Sequence, residues 1–264
     1  MTAPSVDSAL LETTLRARRS EGRKLLVPYV TGGLEGWREA IGAAAAAGAD
    51  AIEVGLPFSD PVMDGPVIQA ASQRALAAGA TPGRILEELA EVDAGLPLAV
   101  MTYYNLVFRA GHDRFSGALR RAGVSAAIVP DLPLEEAGPW CAAADAAGIE
   151  TVMLAAPTAP DERLPRICAR ARGFVYAVGL LGVTGERASL AASAMDLARR
   201  LKAVTDKPVL IGVGVSDAAQ ARQASTVADG VIQGASVMRR LMDDGPEAVG
   251  AYVAEVRAAL DGLE

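Results

Sequence analysis

The 264-residue sequence contains a single histidine and very few lysines, and both scarcities argue against whole reaction classes. His112 alone cannot build a multi-histidine metal site, and a Ser-His-Asp arrangement would depend on this one residue. Lys24, Lys202 and Lys207 all lie outside the apolar runs, where burial would lower a lysine pKa for Schiff-base chemistry. The sequence therefore argues against metal sites and lysine-dependent aldolases.

Cysteines, long apolar runs and positive charge are also scarce. Cys141 and Cys168 fall in predicted helices without CxxC spacing, so we expect both to be buried and reduced. No apolar run is long enough to span a bilayer, and Asp7 and Glu12 interrupt any secretory signal, so we expect a cytoplasmic protein. A net charge of -7 gives no general attraction to nucleic acid or an anionic membrane. His112 is expected at the exposed start of a surface helix.

Short apolar runs alternate with helical stretches along the whole chain, and this alternation predicts parallel strands joined by crossover helices. At 51% hydrophobic and 22% charged residues, the composition is that of a packed, folded protein. The eight predicted strands are Leu25–Val30, Ala51–Gly55, Leu98–Thr102, Ala126–Val129, Glu150–Leu154, Gly173–Val178, Pro208–Gly212 and Gly230–Gln233.

Predicted helices separate these strands, and no linker or low-complexity segment divides the chain. They are Gly36–Ala47, Pro66–Ala78, Asp113–Ala122, Glu135–Ala147, Glu162–Ala171, Met195–Val204, Ala218–Ser225 and Pro246–Leu260. A doubly wound open sheet has the same alternation, but it usually places its phosphate glycines after the first strand, whereas here the glycine-rich strand ends come last. We therefore predict an α/β protein: one (β/α)₈ TIM-barrel domain over residues 1–264, with an extra N-terminal helix.

Glu53 lies within the second predicted strand. Strand alternation places Ile52 and Val54 on one face and Glu53 on the other, which should point into the barrel. Burial of a carboxylate among apolar neighbours raises its pKa and suits it to proton transfer near neutral pH. The alternative is a structural glutamate that pairs with an arginine or accepts from backbone amides.

A long loop with three prolines follows this strand, from Leu56 to Pro66, and should lie at the catalytic rim. Asp60 before Pro61 is typical of a turn or capping residue. Asp64 is ambiguous, because proline favours the first helical position and Asp64 could be the N-cap of a helix that starts at Pro66.

Glycines cluster at the ends of the last three strands, and together they indicate a phosphate site. They belong to the segments Gly179–Gly185, Gly212–Ser216 and Gln233–Ser236, the last followed by a short predicted helix over Ser236–Leu241. In such barrels phosphate binds between the loops after strands seven and eight and the N-terminus of a short helix, where glycine lets backbone N–H groups approach. A small phosphorylated substrate is therefore expected.

These residues resemble the tryptophan synthase alpha subunit family from about Lys24 to the last helix. The most specific part is Glu53-Val54-Gly55-Leu56-Pro57-Phe58-Ser59-Asp60-Pro61, followed by Asp64-Gly65-Pro66 and Gln69. Tyr103, Asn105, Pro130-Asp131-Leu132-Pro133 and Gly182-Val183-Thr184-Gly185 support it. The resemblance implies retro-aldol cleavage of indole-3-glycerol phosphate to indole and glyceraldehyde 3-phosphate, without metal or organic cofactor.

The resemblance also implies residue roles and a partner. Glu53 would protonate indole C3 and help to deprotonate the glycerol hydroxyl, while Asp64 would accept a hydrogen bond from the indole N–H. The implied substrate-binding residues are Tyr29, Met101, Tyr103, Tyr176, Thr184, Gly185, Gly214, Gly234, Ala235 and Ser236. The loops Phe58–Gly65 and Pro130–Pro133 would dock onto a beta chain that carries pyridoxal phosphate.

Three departures from the family pattern leave alternatives open. The family usually has Gly-Ser-Ala where this chain has Gly234-Ala235-Ser236, so one hydroxyl donor to phosphate is lost unless Ser236 supplies it. Gly179 stands where serine is common, and the turn Thr31–Glu35 is unusual. The alternatives are a stand-alone lyase, a non-catalytic barrel that activates a beta chain, or another phosphate-binding barrel enzyme such as an isomerase. Indole-glycerol phosphate synthase needs strand lysines, which are absent.

Overall fold

The computed structural model of the chain describes residues 11–179, 187–212 and 215–262, with the backbone alone for residues 187–191. Within these residues eight parallel strands pair in sequence order, and the eighth pairs with the first to close a barrel. They are β1 (Leu25–Thr31), β2 (Ile52–Gly55), β3 (Leu98–Met101), β4 (Ala126–Ile128), β5 (Glu150–Ala155), β6 (Val175–Ala177), β7 (Val209–Ile211) and β8 (Gly230–Gln233). The predicted (β/α)₈ barrel is confirmed.

Twelve α-helices accompany the strands in the described part of the chain. They are α1 (Leu11–Ser20), α2 (Trp37–Ala46), α3 (Pro66–Ala77), α4 (Pro82–Leu89), α5 (Tyr104–Ala110), α6 (His112–Arg121), α7 (Gly138–Ala147), α8 (Leu164–Arg170), α9 (Arg187–Lys202), α10 (Ala218–Ala224), α11 (Ala235–Asp244) and α12 (Pro246–Asp261). The predicted extra N-terminal helix is α1, and the short helix after strand eight is α11. None of the helices described combines the length and apolar character that a bilayer span requires.

Several predicted helix ends were wrong. Helix α11 starts one residue before the predicted Ser236, and α9 starts at Arg187, eight residues before the predicted Met195. A 3₁₀ turn at Asp161–Arg163 precedes α8, where one continuous helix was expected. Helix ends depend on capping contacts rather than on periodicity, so a predicted helix end is commonly wrong by a residue or more.

Apolar side chains form two layers, one inside the barrel and one between barrel and helices. The inner layer includes Leu25, Val27, Ala51, Ala99, Ala126, Ile128, Val152, Phe174, Leu210 and Ile232. Leu11 and Leu15 of α1 join this inner layer and are fully buried. Helix α1 thus closes the N-terminal end of the barrel, leaving the C-terminal end for the site.

Polar contacts hold α1 in this position. The Glu12 carboxylate accepts from Lys207 Nζ at 2.9 Å and from Gly173 N at 3.2 Å. The carboxylate of Glu150, at the start of β5, accepts from the Glu12 backbone N–H at 3.1 Å, which satisfies a donor in the first turn of the helix. Lys202 bonds to Asp229 just before β8. These two lysines therefore serve the end of the barrel opposite the site.

Candidate functional site

Glu53 lies on β2 with its side chain toward the barrel interior. Its neighbours Ile52 and Val54 belong to the outer apolar layer, whereas Ala51 belongs to the inner one, as alternation predicts. Glu53 is only 1% exposed, and its Oε2 has no hydrogen-bond partner among the described residues. Burial, together with the charge of Asp64, raises the pKa of Glu53 to about 8. An arginine partner or backbone cap, the structural alternative, is thus absent from the described surroundings of Oε2.

Asp64 lies at the end of the loop after β2 and does not cap the following helix. The N-cap of α3 is Gly65, with no side-chain hydrogen bond, so the capping alternative for Asp64 was wrong. Gln69 Nε2 donates to the Asp64 carbonyl at 2.7 Å and fixes its backbone. Burial raises the pKa of Asp64, while the hydrogen bond from Tyr103 acts in the opposite direction. The Asp64 carboxyl is therefore free of helix capping and acts electrostatically on Glu53.

Tyr103 supports this loop. Its hydroxyl accepts from Met63 N at 3.0 Å and lies within hydrogen-bond reach of the Asp64 carboxyl. Its ring stacks on Phe58, with ring centroids 5.1 Å apart. Tyr103 thus holds both ends of the Phe58–Asp64 segment. Its hydroxyl is engaged with the loop itself, and the predicted contact of Tyr103 with substrate stays a prediction.

Two further tyrosines lie beside Glu53, each packed across a glycine. A Cβ built on Gly55 would overlap the Tyr29 hydroxyl, and a Cβ on Gly212 would overlap the Tyr176 hydroxyl and ring. Glycine at these two strand ends therefore makes the space that the tyrosines occupy. Burial, with smaller effects of the Glu53 and Asp64 charges, raises the pKa of Tyr29 and of Tyr176 well above the usual value, so both remain protonated phenols.

Met101 and Tyr176 line a cavity of about 70 Å³ at the C-terminal end of the barrel. Apolar side chains also line this cavity, namely those of Met63, Ile128, Leu154 and Val178. Such walls accept a flat apolar group, and a few convergent polar groups would fix its orientation. The structure thus brings together Glu53, Asp64, Tyr29, Met101 and Tyr176 at one end of the barrel, and the roles that the resemblance implies for them stay predictions.

The residues predicted to bind phosphate are only partly within the described chain. Thr184, Gly185 and Gly214 lie outside the described residues. Gly234 is the N-cap of α11, and a Cβ added to it would contact Ile68 and Tyr29. Ala235 is the first residue of the helix and is exposed. Backbone N–H groups in the first turn of a helix have no partner within that helix, so this turn offers donors to an anion.

Ser236 differs from the expectation that it could replace the missing hydroxyl donor. Its side chain is buried, and its Oγ lies 3.0 Å from the hydroxyl of Tyr252 on α12. The Ser236 hydroxyl is thus directed into the protein, toward another helix.

Other residues singled out from the sequence lie away from this cluster. Asp60 is exposed, and its carboxylate accepts a hydrogen bond from the hydroxyl of the neighbouring Ser59. His112 begins α6 as expected, but it is half-buried rather than solvent-exposed, because Nε2 contacts the Tyr104 hydroxyl at 3.1 Å and the ring packs near Trp140. Cys141 and Cys168 are buried and free, as predicted.

Asp131 has a supporting role that no sequence signal near it indicated. Its Oδ1 accepts from the backbone N–H of Tyr104 at 2.8 Å and so caps the start of α5. Because Asp131 comes 27 residues after Tyr104, a search for local capping residues could not find this contact. The loop after β4 thereby anchors the helix that follows Tyr103.

Comparison with known proteins agrees with this geometry. The sequence profile of the tryptophan synthase alpha chain family matches residues 15–260. The tryptophan synthase alpha chain of Streptomyces coelicolor is 47% identical over 246 residues, covering 91% of each chain, and that of Thermobifida fusca is 47% identical over 89% of each. Among solved structures, Mycobacterium tuberculosis tryptophan synthase superposes with a TM-score of 0.87 at 38% identity, covering 95% of this chain and 97% of that one. The alpha chain from Legionella pneumophila gives 0.85 at 30% identity, covering 96% and 97%. On the profile match and on these relatives, the chain belongs to the tryptophan synthase alpha chain family, a family of lyases that cleave indole-3-glycerol phosphate and pair with a beta chain.

Proposed function

We propose that this chain cleaves indole-3-glycerol phosphate to indole and glyceraldehyde 3-phosphate with Glu53 as the proton-transferring group and Asp64 as its electrostatic partner. The observation that carries the proposal is a buried carboxyl at the C-terminal end of the barrel, one oxygen of which has no hydrogen-bond partner among the described residues. A buried polar atom left without a partner is rare in proteins and calls for a functional explanation. A substrate atom that shares a proton with Glu53 supplies that explanation.

The pKa of Glu53 sets its role. With a pKa of about 8, Glu53 is mostly protonated at neutral pH and can donate to indole C3. Protonation makes C3 tetrahedral and places positive charge on the ring nitrogen. The glycerol hydroxyl next to the ring then loses its proton to the Glu53 carboxylate. The aldehyde C=O forms, the C–C bond breaks, and its electron pair returns to the ring, which releases neutral indole and restores protonated Glu53.

Asp64 stabilises the charge that develops on the ring nitrogen by accepting its N–H. The hydrogen bond from Tyr103 favours the ionised form of Asp64, against the effect of burial. The same negative charge raises the pKa of Glu53 and keeps its proton available. The Asp64 carboxylate thus has two effects: it keeps Glu53 protonated before the transfer, and it stabilises the positive ring nitrogen afterwards.

The two ends of the substrate need different surroundings. The indole ring fits the apolar walls that include Met101 and Tyr176, next to Glu53. The phosphate fits the first turn of α11 at Gly234 and Ala235, where backbone N–H groups are available. Thr184, Gly185 and Gly214, assigned by family resemblance, would complete the phosphate site. The reaction uses proton transfers alone, so no cofactor on this chain is invoked.

The beta chain would cover the same end of the barrel, where its own pyridoxal phosphate could receive the indole. Val62, in the loop after β2, is 72% exposed, and Phe108, on α5 after β3, is 67% exposed. Large apolar side chains exposed together, here on a loop and on the helix after the next strand, are typical of a contact surface. We place the partner on the loop after β2, on α5 and on Pro130–Pro133, with the complex in the cytoplasm.

Indole release by the purified chain tests the proposal. The protein is incubated with indole-3-glycerol phosphate, alone and with a tryptophan synthase beta chain, and indole is quantified. We expect release in both cases and a large loss in Glu53→Gln, whereas Glu87→Gln, which removes the same charge from an exposed site on α4, retains activity. Absence of indole under both conditions would refute the proposal.

The same assay separates the alternative functions. If the chain alone releases indole and a beta chain does not change the rate, the stand-alone lyase is favoured. Biological function retained in Glu53→Gln would favour a non-catalytic barrel.

A further inference from the structure

Tyr252 of α12 joins two loops at the C-terminal end of the barrel. The side chain is buried, and its hydroxyl lies 3.2 Å from the carbonyl oxygen of Ser216, which follows β7. The same hydroxyl lies 3.0 Å from Oγ of Ser236, in the first turn of α11 after β8. A single phenol on the last helix thus contacts both segments that flank the proposed phosphate site.

The chemistry of these groups fixes the direction of each hydrogen bond. The Ser216 carbonyl can only accept, so Tyr252 uses its one proton to donate to it. Satisfying the second contact then requires Ser236 to donate to the Tyr252 oxygen. Burial raises the pKa of Tyr252, which favours the protonated phenol. With both contacts made, the hydroxyl proton of the buried Ser236 is used within the protein rather than for a phosphate.

Arg240 holds the same turn from its other side. Its guanidinium carbon lies 3.7 Å from the centroid of the Tyr252 ring, and its Nη1 donates to the Ser236 carbonyl at 3.1 Å. Cation–π contact of a half-buried arginine fixes the ring plane, while the hydrogen bond fixes the backbone of α11. The turn is thus bound to Tyr252 through its side chain and to Arg240 through its main chain.

We propose that Tyr252 is a positioning residue for phosphate, which holds the Ser216 loop and the first turn of α11 at a fixed separation. The phosphate is then bound at α11 by backbone N–H groups of Gly234 and Ala235, without a hydroxyl from Ser236. This inference rests on the proposed function, because that proposal assigns the phosphate to α11. It also explains how the chain accommodates alanine at position 235: Ser236, one residue later, stabilises the turn instead of contacting the ligand.

Three variants separate this arrangement from direct binding by Ser236. Affinity is measured by titration with inorganic phosphate and with glycerol 3-phosphate, and kcat and KM are measured with indole-3-glycerol phosphate. In Tyr252→Phe we expect phosphate affinity to fall and KM to rise by about five- to tenfold, with kcat within about twofold, as loss of one buried hydrogen bond predicts. Ser236→Ala should have a similar effect, and the double variant should add little to either, because both remove the same link.

Ala235→Ser tests the open position directly. Residue 235 is exposed, so a hydroxyl placed there can reach the ligand, and we expect affinity for both anions to increase by about three- to tenfold. Tyr104→Phe is the matched control: it removes a phenol hydroxyl that contacts His112, far from α11, and should leave phosphate affinity unchanged. Thermal unfolding of every variant is recorded, because a purely structural role would lower the melting temperature without changing KM or anion affinity.

The outcomes distinguish the two proposals. If the wild-type chain binds phosphate and Tyr252→Phe binds it equally well, Tyr252 has no positioning role and only this inference fails. If Ser236→Ala weakens binding while Tyr252→Phe does not, Ser236 is a direct ligand and the inference is overturned. Failure of the wild-type chain to bind either anion would overturn both this inference and the placement of phosphate in the proposed function.

Discussion

Replacing Glu53 by glutamine should make the protein more resistant to unfolding at alkaline pH while it abolishes activity. The folded-state pKa of Glu53 is about 8, against 4.5 for the ordinary group, so folding favours the protonated form. At pH values between these two pKa values the folded state binds more protons than the unfolded state. The free energy of unfolding therefore falls as the pH rises. Glutamine mimics the protonated carboxyl at every pH and removes this loss.

The size of the effect follows from the same two pKa values. Each pKa unit corresponds to about 1.4 kcal/mol, so full ionisation of Glu53 costs about 5 kcal/mol of unfolding free energy, an order-of-magnitude figure for a fully buried group. At about pH 5.5 the loss is about 1.4 kcal/mol, and at about pH 8.5 it is about 4.6 kcal/mol. The difference between Glu53→Gln and the wild type should therefore grow by about 3 kcal/mol between these conditions.

Urea unfolding at the two pH values measures this growth, and only the change with pH is interpreted, because any packing effect of glutamine is independent of pH. Glu87→Gln, at an exposed position of α4, is the matched control and should show no such growth. Equal stability differences for Glu53→Gln at both pH values would mean that Glu53 ionises normally in the folded protein. The proton-donor role assigned to it would then be untenable.

Three further substitutions, with Gly42→Ala as a control, test the surroundings of the site and the opposite end of the barrel. Tyr103→Phe removes the hydrogen bonds to Met63 and the Asp64 carboxyl and should lower kcat/KM about tenfold, measured as indole release. Gly212→Ala places a methyl group on the Tyr176 ring and should abolish most activity and destabilise the fold, whereas Gly42→Ala, in open space on α2, should raise the unfolding free energy by about 0.5–1 kcal/mol. Leu15→Ala, which leaves a cavity beneath the barrel, should cost about 2–5 kcal/mol in urea unfolding without a specific effect on KM.

The strands and their inward residues were predictable because a local period carries that information. Alternation in Ala51–Gly55 places Glu53 inside, and the structure agrees. Helix α4 was not predicted, although its start has a local signal: Thr81 accepts from Arg84 N, and Pro82 takes the first helical position. Thr-Pro before an amphipathic stretch is a recognised helix start, so this omission was avoidable.

Other features depend on contacts between distant residues and could not be predicted from the sequence. Helix α5 is capped by Asp131 from the next loop, so its own N-cap residue, Tyr103, shows no capping signal. Two contacts distinguish Asp64 from a helix cap: Gly65 is the N-cap of α3, and the Tyr103 hydroxyl bonds to the Asp64 carboxyl. Neither contact can be read from the local sequence. The role proposed for Asp64 comes from the family resemblance, because no local pattern distinguishes it from a helix cap.

The placement of Glu53 explains why the two ends of the barrel are built so differently. Burial above the inner apolar layer raises the pKa of Glu53, which suits it to the proposed role of proton donor, and the same burial costs stability whenever Glu53 ionises. Helix α1 completes this layer with Leu11 and Leu15, and the Glu12–Lys207 pair anchors it. A loosened α1 should admit water beneath the site and lower the pKa of Glu53. We therefore expect α1 to affect the proposed proton transfer through the dielectric of the barrel interior, without any contact with the reacting atoms.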